Sequence, residues 1–270
     1  MEEILRDPTP LKMVGALEAN FQAHVPLYAH LPGAIAWETP EVRALLTDLD
    51  AYESCVYHAA FSPDQASEKI DQVLGYFRSQ KCLPMQWIVG SSTRPSDLGK
   101  TLEERGFRYL IRVPGMAAPL QDLEKPHVLV DNFVIERVAN SAQLAKWTKI
   151  VSEAEKLSER LREGYNSAFQ SHGFDPKLPS QLFLGMEDGA PVAASRLLCA
   201  GGVAGIYAVT TLPEKRGRGY GTAMTLAAAQ VGNERGYYFG GLFSSPAGYG
   251  LYRRLGFQEY LTIEVYMSPE

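Results

Sequence analysis

The chain has 270 residues, 46% of them hydrophobic and 21% charged, which is enough apolar material for one large core or two small ones and reads as globular. A net charge of −5 gives no overall attraction for nucleic acid or anionic lipid, so a polyanion partner would need a local patch. The start, MEEILRDPTP, carries acids where a secretory signal carries bases, and no apolar run reaches the roughly 18 residues of a membrane span, so a cytoplasmic protein without a membrane partner is expected. Cys55, Cys82 and Cys199 are odd in number and far apart, and His127 and His172 stand alone. No metal site is therefore expected, and the cysteines read as reduced packing residues.

In chain order, Lys12 to Ala23 reads as a helix, and Glu41 to Asp50 as another opening behind Thr39-Pro40. A strand follows (Cys55 to Phe61), then a helix from Ser62-Pro63-Asp64 to about Gln80, a strand (Met85 to Gly90), a helix (Ser96 to Arg105), and a last strand from Gly106-Phe107 to Leu120. The segment Gln121 to His127 is polar, contains a proline and reads as a linker. Beyond it come a strand (Phe133 to Val138), a helix capped by Asn140 or Ser141, a helix from Ser158 to Ser171, and a hairpin turning at Asp188-Gly189, a pair that supplies positive φ angles.

The order of the first half then returns: strand Gly205 to Thr211, helix Gly221 to Arg235, strand Tyr237 to Phe243, helix Ala247 to Leu255, and Gly256-Phe257 before a final strand. Gly106 and Gly256 lie 150 positions apart, Met116 and Met267 lie 151 apart, and LEERGFRYL answers YRRLGFQEY. Duplication accounts for this spacing. The alternative is shared punctuation, since glycine ends helices and an aromatic then docks in the core.

Arg216-Gly217-Arg218-Gly219-Tyr220-Gly221-Thr222 stands between an apolar strand and an alanine-rich helix. Alternating glycines let successive backbone N–H groups converge at the positive end of the helix, where a phosphate is stabilised. Thr222 adds a hydroxyl donor, and Arg216 and Arg218 add charge. The segment lacks Gly-Lys-Ser/Thr and does not form GxGxxG, which disfavours a nucleoside triphosphatase loop and a dinucleotide fingerprint. A solvated basic turn or a nucleic-acid contact at RGRG remains the rival.

This loop, with Pro213 ahead of it and Tyr252-Arg253-Arg254-Leu255-Gly256-Phe257 behind it, resembles the Arg/Gln-x-x-Gly-x-Gly/Ala motif and tyrosine helix of the GNAT N-acetyltransferase superfamily over about Asp131 to Glu270. The N-terminal half is similar to a degenerate second copy, as in tandem-GNAT proteins. The resemblance implies an α/β (α+β) chain of two GNAT-like domains, each a mixed, mostly antiparallel sheet flanked by helices. Residues 1–124 would form the degenerate copy without a coenzyme site, and residues 125–270 the catalytic domain.

It further implies acetyl-CoA as co-substrate, with Val209, Thr210 and Thr211 offering backbone groups to the pantetheine and acyl carbonyl. Arg216, Gly217, Arg218, Gly219, Tyr220, Gly221 and Thr222 would hold the pyrophosphate, and Tyr252 would be the acid that protonates the departing thiolate. The acceptor would be a primary amine of a small molecule attacking directly in a ternary complex, with no nucleic acid involved and with room for a homodimer. The places where relatives keep a glutamate base hold Gly240 and Gly205, so no base is named; Ser244, Ser245 or Tyr207 could hold a water, and Glu264 is a further carboxylate. Trp147, Tyr165, Phe169, Tyr207 and Tyr249 sit on elements that flank the implied acceptor cleft, with most of them reading as core residues, and Trp87 and Arg94 could wall it. The missing base also keeps open a non-catalytic acyl-CoA sensor.

Overall fold

A computed structural model describes residues 3–49, 53–124 and 132–270. It divides into two compact units, Met1–Phe21 with Gly115–Tyr260 and Gln22–Pro114 with Leu261–Glu270. The expected boundary at residue 124 follows the sequence repeat, whereas the compact units interleave along the chain. Part of the expected linker, residues 125–127, lies outside the described residues.

In the second of these units the strands β1 (Ile35–Glu38), β2 (Val42–Leu46), β3 (Cys55–Ala59), β4 (Gln86–Val89) and β11 (Gln258–Met267) neighbour one another in that order. The β3–β4 pair is parallel, and the β1–β2, β2–β3 and β4–β11 pairs are antiparallel. Helices α2 (Ala66–Ser79) and α3 (Leu98–Glu104) complete the unit. Its core gathers Leu46, Ile70, Phe77, Met85, Trp87, Leu102 and Phe107. Of the helix expected over Glu41 to Asp50, Val42–Leu46 is instead strand β2, and Asp50 lies outside the described residues. Thr39 accepts a hydrogen bond from Val42 N–H at 2.9 Å and donates its own N–H to Val42 C=O at 2.8 Å. The cap-like Thr-Pro pair thus closes a tight turn between two antiparallel strands, and pairing of β2 with β1 and β3 overrides the local helix signal.

In the other unit the second half of β5 (Arg108–Pro119), then β10 (Phe239–Phe243), β9 (Val203–Thr211), β8 (Ala190–Ala200), β7 (Ser180–Glu187) and β6 (Phe133–Arg137) lie side by side. Only β9 and β10 run parallel. The remaining helices are α1 (Pro10–His24), α4 (Ser141–Glu155), α5 (Glu159–His172), α6 (Tyr220–Glu234) and α7 (Pro246–Arg254). Asn140 caps α4 by accepting from Gln143 N–H at 3.0 Å, and Ser158 caps α5 by accepting from Leu161 N–H at 3.2 Å. Asp188 (φ 50°) and Gly189 (φ 79°) turn the β7–β8 hairpin as expected.

The closing strands of the two sequence repeats trade places. Gly115 to Pro119 of the first repeat pairs with β10, and Glu264 to Met267 of the second pairs with β4. The same helix ending precedes both, since Phe107 N–H donates to Leu102 C=O and Phe257 N–H to Tyr252 C=O, each at 3.0 Å.

The N-terminal segment is an integral part of the unit that holds the glycine loop. Asn20, 2% exposed, donates its amide to the carbonyls of Leu198, Ala200 and Val203 at 3.1, 2.7 and 3.3 Å and accepts from Tyr207 Oη at 2.6 Å. Asn20→Ala would remove these hydrogen bonds from a buried position, so it is expected to lower the unfolding free energy by about 2–3 kcal/mol, read from urea denaturation.

Candidate functional site

Strands β9 and β10 pair through Ala204↔Gly240 and Gly205↔Gly241. Beyond Gly205, β9 continues to Thr211 without β10 in register, so the two strands part. On its other edge β9 stays with β8, through a β-bulge in which Ala208 and Val209 stand opposite Ser195. Ala208 takes φ 48°, a conformation that costs a non-glycine residue about 1–2 kcal/mol and persists only when pairing on both sides imposes it. Val209, Thr210 and Thr211 therefore lie on the stretch of β9 whose β10-facing edge is released.

The chain then turns through Pro213–Lys215 into the glycine loop. Gly217 (φ 80°) and Gly219 (φ 90°) both occupy the left-handed region, with Gly219 standing as N-cap of α6. Ala223 N–H donates to Gly219 C=O at 3.0 Å, which leaves the N–H groups of Tyr220, Gly221 and Thr222 as the helix's unspent donors at its positive end. Gly221 lets α7 close in, because a Cβ there would stand 3.3 Å from Leu251. Tyr252 is the next residue of that helix.

Side chains fix this loop from below. Glu187, at the end of β7, receives Lys215 Nζ and Tyr220 Oη, with Arg218 Nη1 at 3.4 Å. Tyr220 is buried, so what it offers a ligand is its backbone N–H. Arg216 donates from Nε to Thr211 C=O at 3.2 Å and from Nη2 to Ala154 C=O at 3.3 Å. Both loop arginines are exposed, and each makes contacts within the unit.

Tyr252 is capped into place. Ser245 accepts from Gly248 N–H at 3.2 Å to open α7, and a Cβ on Gly248 would approach Tyr252 Cε2 to 2.7 Å, so the ring folds over that glycine. Its other neighbour is Phe257, edge-on at 6.0 Å. Burial pushes the phenol up to about 12, which keeps it protonated and a donor across the neutral range.

The two places implied for a glutamate base are closed in by neighbours. A Cβ on Gly205 would meet Asn20 Oδ1 at 2.1 Å, and one on Gly240 would meet Leu120 Cδ2 at 2.8 Å. Ser244 donates to Ser245 C=O, and Glu264 accepts from Tyr266 Oη in the other compact unit. Trp147, Tyr165 and Phe169 are core residues, Trp147 donating Nε1 to Ser195 C=O at 3.1 Å, while Tyr249 is exposed. Trp87 is likewise in the core of its unit, and Arg94 turns back onto the carbonyls of Ser91 and Thr93. Arg196, 1% exposed, was not singled out in the sequence; its guanidinium lies 5.1 Å from the ring centre of Tyr207 and 5.7 Å from that of Phe169. Among the described residues no cluster of three metal-ligating side chains occurs, and no helix is long and apolar enough to cross a membrane.

Residues 179–259 match the family model described as "Acetyltransferase (GNAT) domain". In fold the chain is similar to a GCN5-related N-acetyltransferase from Kribbella flavida, with a TM-score of 0.71 and 23% identity over 93% of this chain and 96% of that one. A GCN5-related N-acetyltransferase from Sphaerobacter thermophilus gives a TM-score of 0.64 and 18% identity over 97% and 94% of the two chains. A tandem GNAT protein from the clavulanic acid biosynthesis pathway gives 0.58 and 15% over 85% and 79%. No curated protein matches the sequence.

The Glu187 carboxyl is held below its ordinary value by its hydrogen bonds from Lys215 and Tyr220. Because the folded value is the lower one, this contact stabilises the loop above the unfolded value of about 4.3 and is lost as pH falls below it. Hydrogen exchange is expected to show residues 215–220 opening in that acid range, and Glu187→Gln is expected to show the opened loop already at neutral pH.

Proposed function

We propose that this chain, which carries a GNAT acetyltransferase domain on a fold like that of a tandem GNAT protein, transfers an acetyl group from acetyl-CoA to a primary amine of a small molecule. The observation that carries this reading is the parting of β9 from β10 immediately ahead of the loop. A released strand edge offers backbone donors and acceptors to an extended amide-containing arm, and a glycine loop at a helix N-terminus accepts a diphosphate. The two lie in sequence and in contact, as a pantetheine joined to a pyrophosphate requires.

In this reading the backbone of Val209, Thr210 and Thr211 takes the pantetheine and the thioester carbonyl. A backbone N–H directed at that oxygen stabilises the negative charge that grows as the amine attacks. Gly217 to Thr222 take the pyrophosphate through their N–H groups, with Arg216 and Arg218 holding the loop's shape. The amine attacks the acyl carbon directly, the C–S bond breaks, and Tyr252 gives its proton to the leaving sulfur. The three cysteines are free and buried, with thiols raised by burial. They are poor nucleophiles, which favours direct attack over a covalent relay and suits a reducing cytoplasm.

The N-terminal repeat serves a different purpose in this reading. At the end of β3, Arg94 N–H donates to Ala59 C=O at 2.9 Å and Phe61 N–H to Arg94 C=O at 3.0 Å. The strand edge that is open in the other unit is here occupied by the chain itself, and α2 opens without a glycine loop. Both features support a copy that holds no coenzyme.

Tyr252→Phe is expected to lower turnover at least about a hundredfold, since the acid is removed, while calorimetry shows unchanged acetyl-CoA affinity. Unchanged turnover with intact binding would instead favour an acyl-CoA sensor. Gly219→Asp forces a side chain and a negative charge into a left-handed position of the loop, and acetyl-CoA affinity is expected to fall more than about tenfold. Retained affinity would refute the placement of the pyrophosphate.

A further inference from the structure

Two neighbouring residues of α1 hold the two flanks of the gap between β9 and β10. Asn20 accepts from Tyr207 Oη on the β9 flank at 2.6 Å, and the ring of Phe21 packs on that of Phe243 on the β10 flank, with centres 5.0 Å apart. Gly205 and Gly241 are the last paired residues before the strands part, so Tyr207 and Phe243 stand at matching places, each two residues beyond. A Cβ on Gly205 would meet Asn20, and one on Gly241 would meet Leu17. Both glycines, and by the alternation of a strand Tyr207 and Phe243 after them, therefore face α1. Helix α6, which begins at the glycine loop, lies on the opposite face, where Gly232 rests against the Ala204 side chain.

The gap has a direction. Strand β9 runs toward the glycine loop, so a coenzyme with its pyrophosphate on Gly217 to Thr222 and its arm along Thr211 to Val209 runs back along the strand. Its acyl end then points to where β10 rejoins β9, and the space narrows there from released edges to a hydrogen-bonded pair. On the α1 face this wedge is flanked by two half-buried rings, Tyr207 tethered by Asn20 and Phe243 backed by Phe21.

We infer that Phe243, backed by Phe21, limits the acyl group to two carbons, so that α1 helps to set which acyl-CoA the protein accepts. This limit rests on the coenzyme placement proposed above. An acetyl group ends short of the rings, whereas each further methylene presses into a wedge closed by paired backbone and packed side chains. Such a site admits the longer chain only by displacing its walls, at the cost that overpacking carries. Phe243 meets the acyl chain directly. Phe21 acts through Phe243, since its removal leaves that ring room to lean away.

Calorimetry with acetyl-CoA and butyryl-CoA tests this on the full chain, for wild type, Phe243→Ala, Phe243→Leu and Phe21→Ala. Wild type is expected to bind acetyl-CoA at least about tenfold more tightly than butyryl-CoA. In Phe243→Ala that preference is expected to shrink to within about threefold through a gain in butyryl-CoA affinity. Phe243→Leu and Phe21→Ala should move part of the way in the same direction. Tighter binding of the longer chain is a result that general damage to the fold does not produce. Should Phe243→Ala fail to fold, the other two variants give the same reading. Wild type that binds both compounds within about threefold of each other, or variants that leave the preference unchanged, would overturn the limit while coenzyme binding stands. Wild type that binds neither would remove the coenzyme placement, and the limit with it.

Discussion

Strand β9 is held on one side and released on the other, and the candidate site follows from that asymmetry. Its β8 edge is paired to the end through a bulge that accepts an unfavourable backbone angle at Ala208. Its β10 edge is paired for two residues only. Backbone groups left unpaired inside a sheet are costly unless water or a ligand meets them, and the released stretch, with Ala208 exposed, is open to such a partner. Asn20 supports the paired part from the far side, gathering three carbonyls and the Tyr207 hydroxyl around Gly205, where a larger residue would not fit.

The parts that would meet an occupant are braced by side chains that do not themselves face it. Glu187 gathers Lys215, Arg218 and Tyr220 beneath the glycine loop. Arg216 fastens the loop's start to β9 and α4, Leu251 lies against Gly221, and Gly248 gives the Tyr252 ring its place. Charged residues that look in sequence like ligand contacts are thus spent largely on shape, and the donors left for a ligand are main-chain amides. Such amides need no reorganisation on binding, which is why a rigid loop is an advantage here.

Residues 55–119 and 203–267 show one backbone plan with two outcomes. Each has a strand, a helix, a parallel strand, a short helix ended at Gly-Phe, and a closing strand. In the N-terminal repeat the end of β3 is paired with Arg94 and a leucine, Leu102, stands where the other repeat has Tyr252. A few local changes therefore separate an open strand edge from a filled one, with the core aromatic at Phe107 or Phe257 retained in both.

The sequence by itself determined most elements, because their signals are local. Asn140 and Ser158 mark helix starts, Asp188-Gly189 marks a hairpin, and Gly217 and Gly219 mark a loop that only positive φ angles can build. It also pointed to Tyr252, through the resemblance of the loop and the tyrosine helix to the GNAT superfamily. The tertiary structure alone decided that Thr39-Pro40 closes a hairpin, that the closing strands trade places, and that Asn20 and Glu155 meet residues of β9. Those outcomes depend on partners more than fifty residues away or on competition between sheet pairing and local propensity, and neither leaves a mark in a short window of sequence.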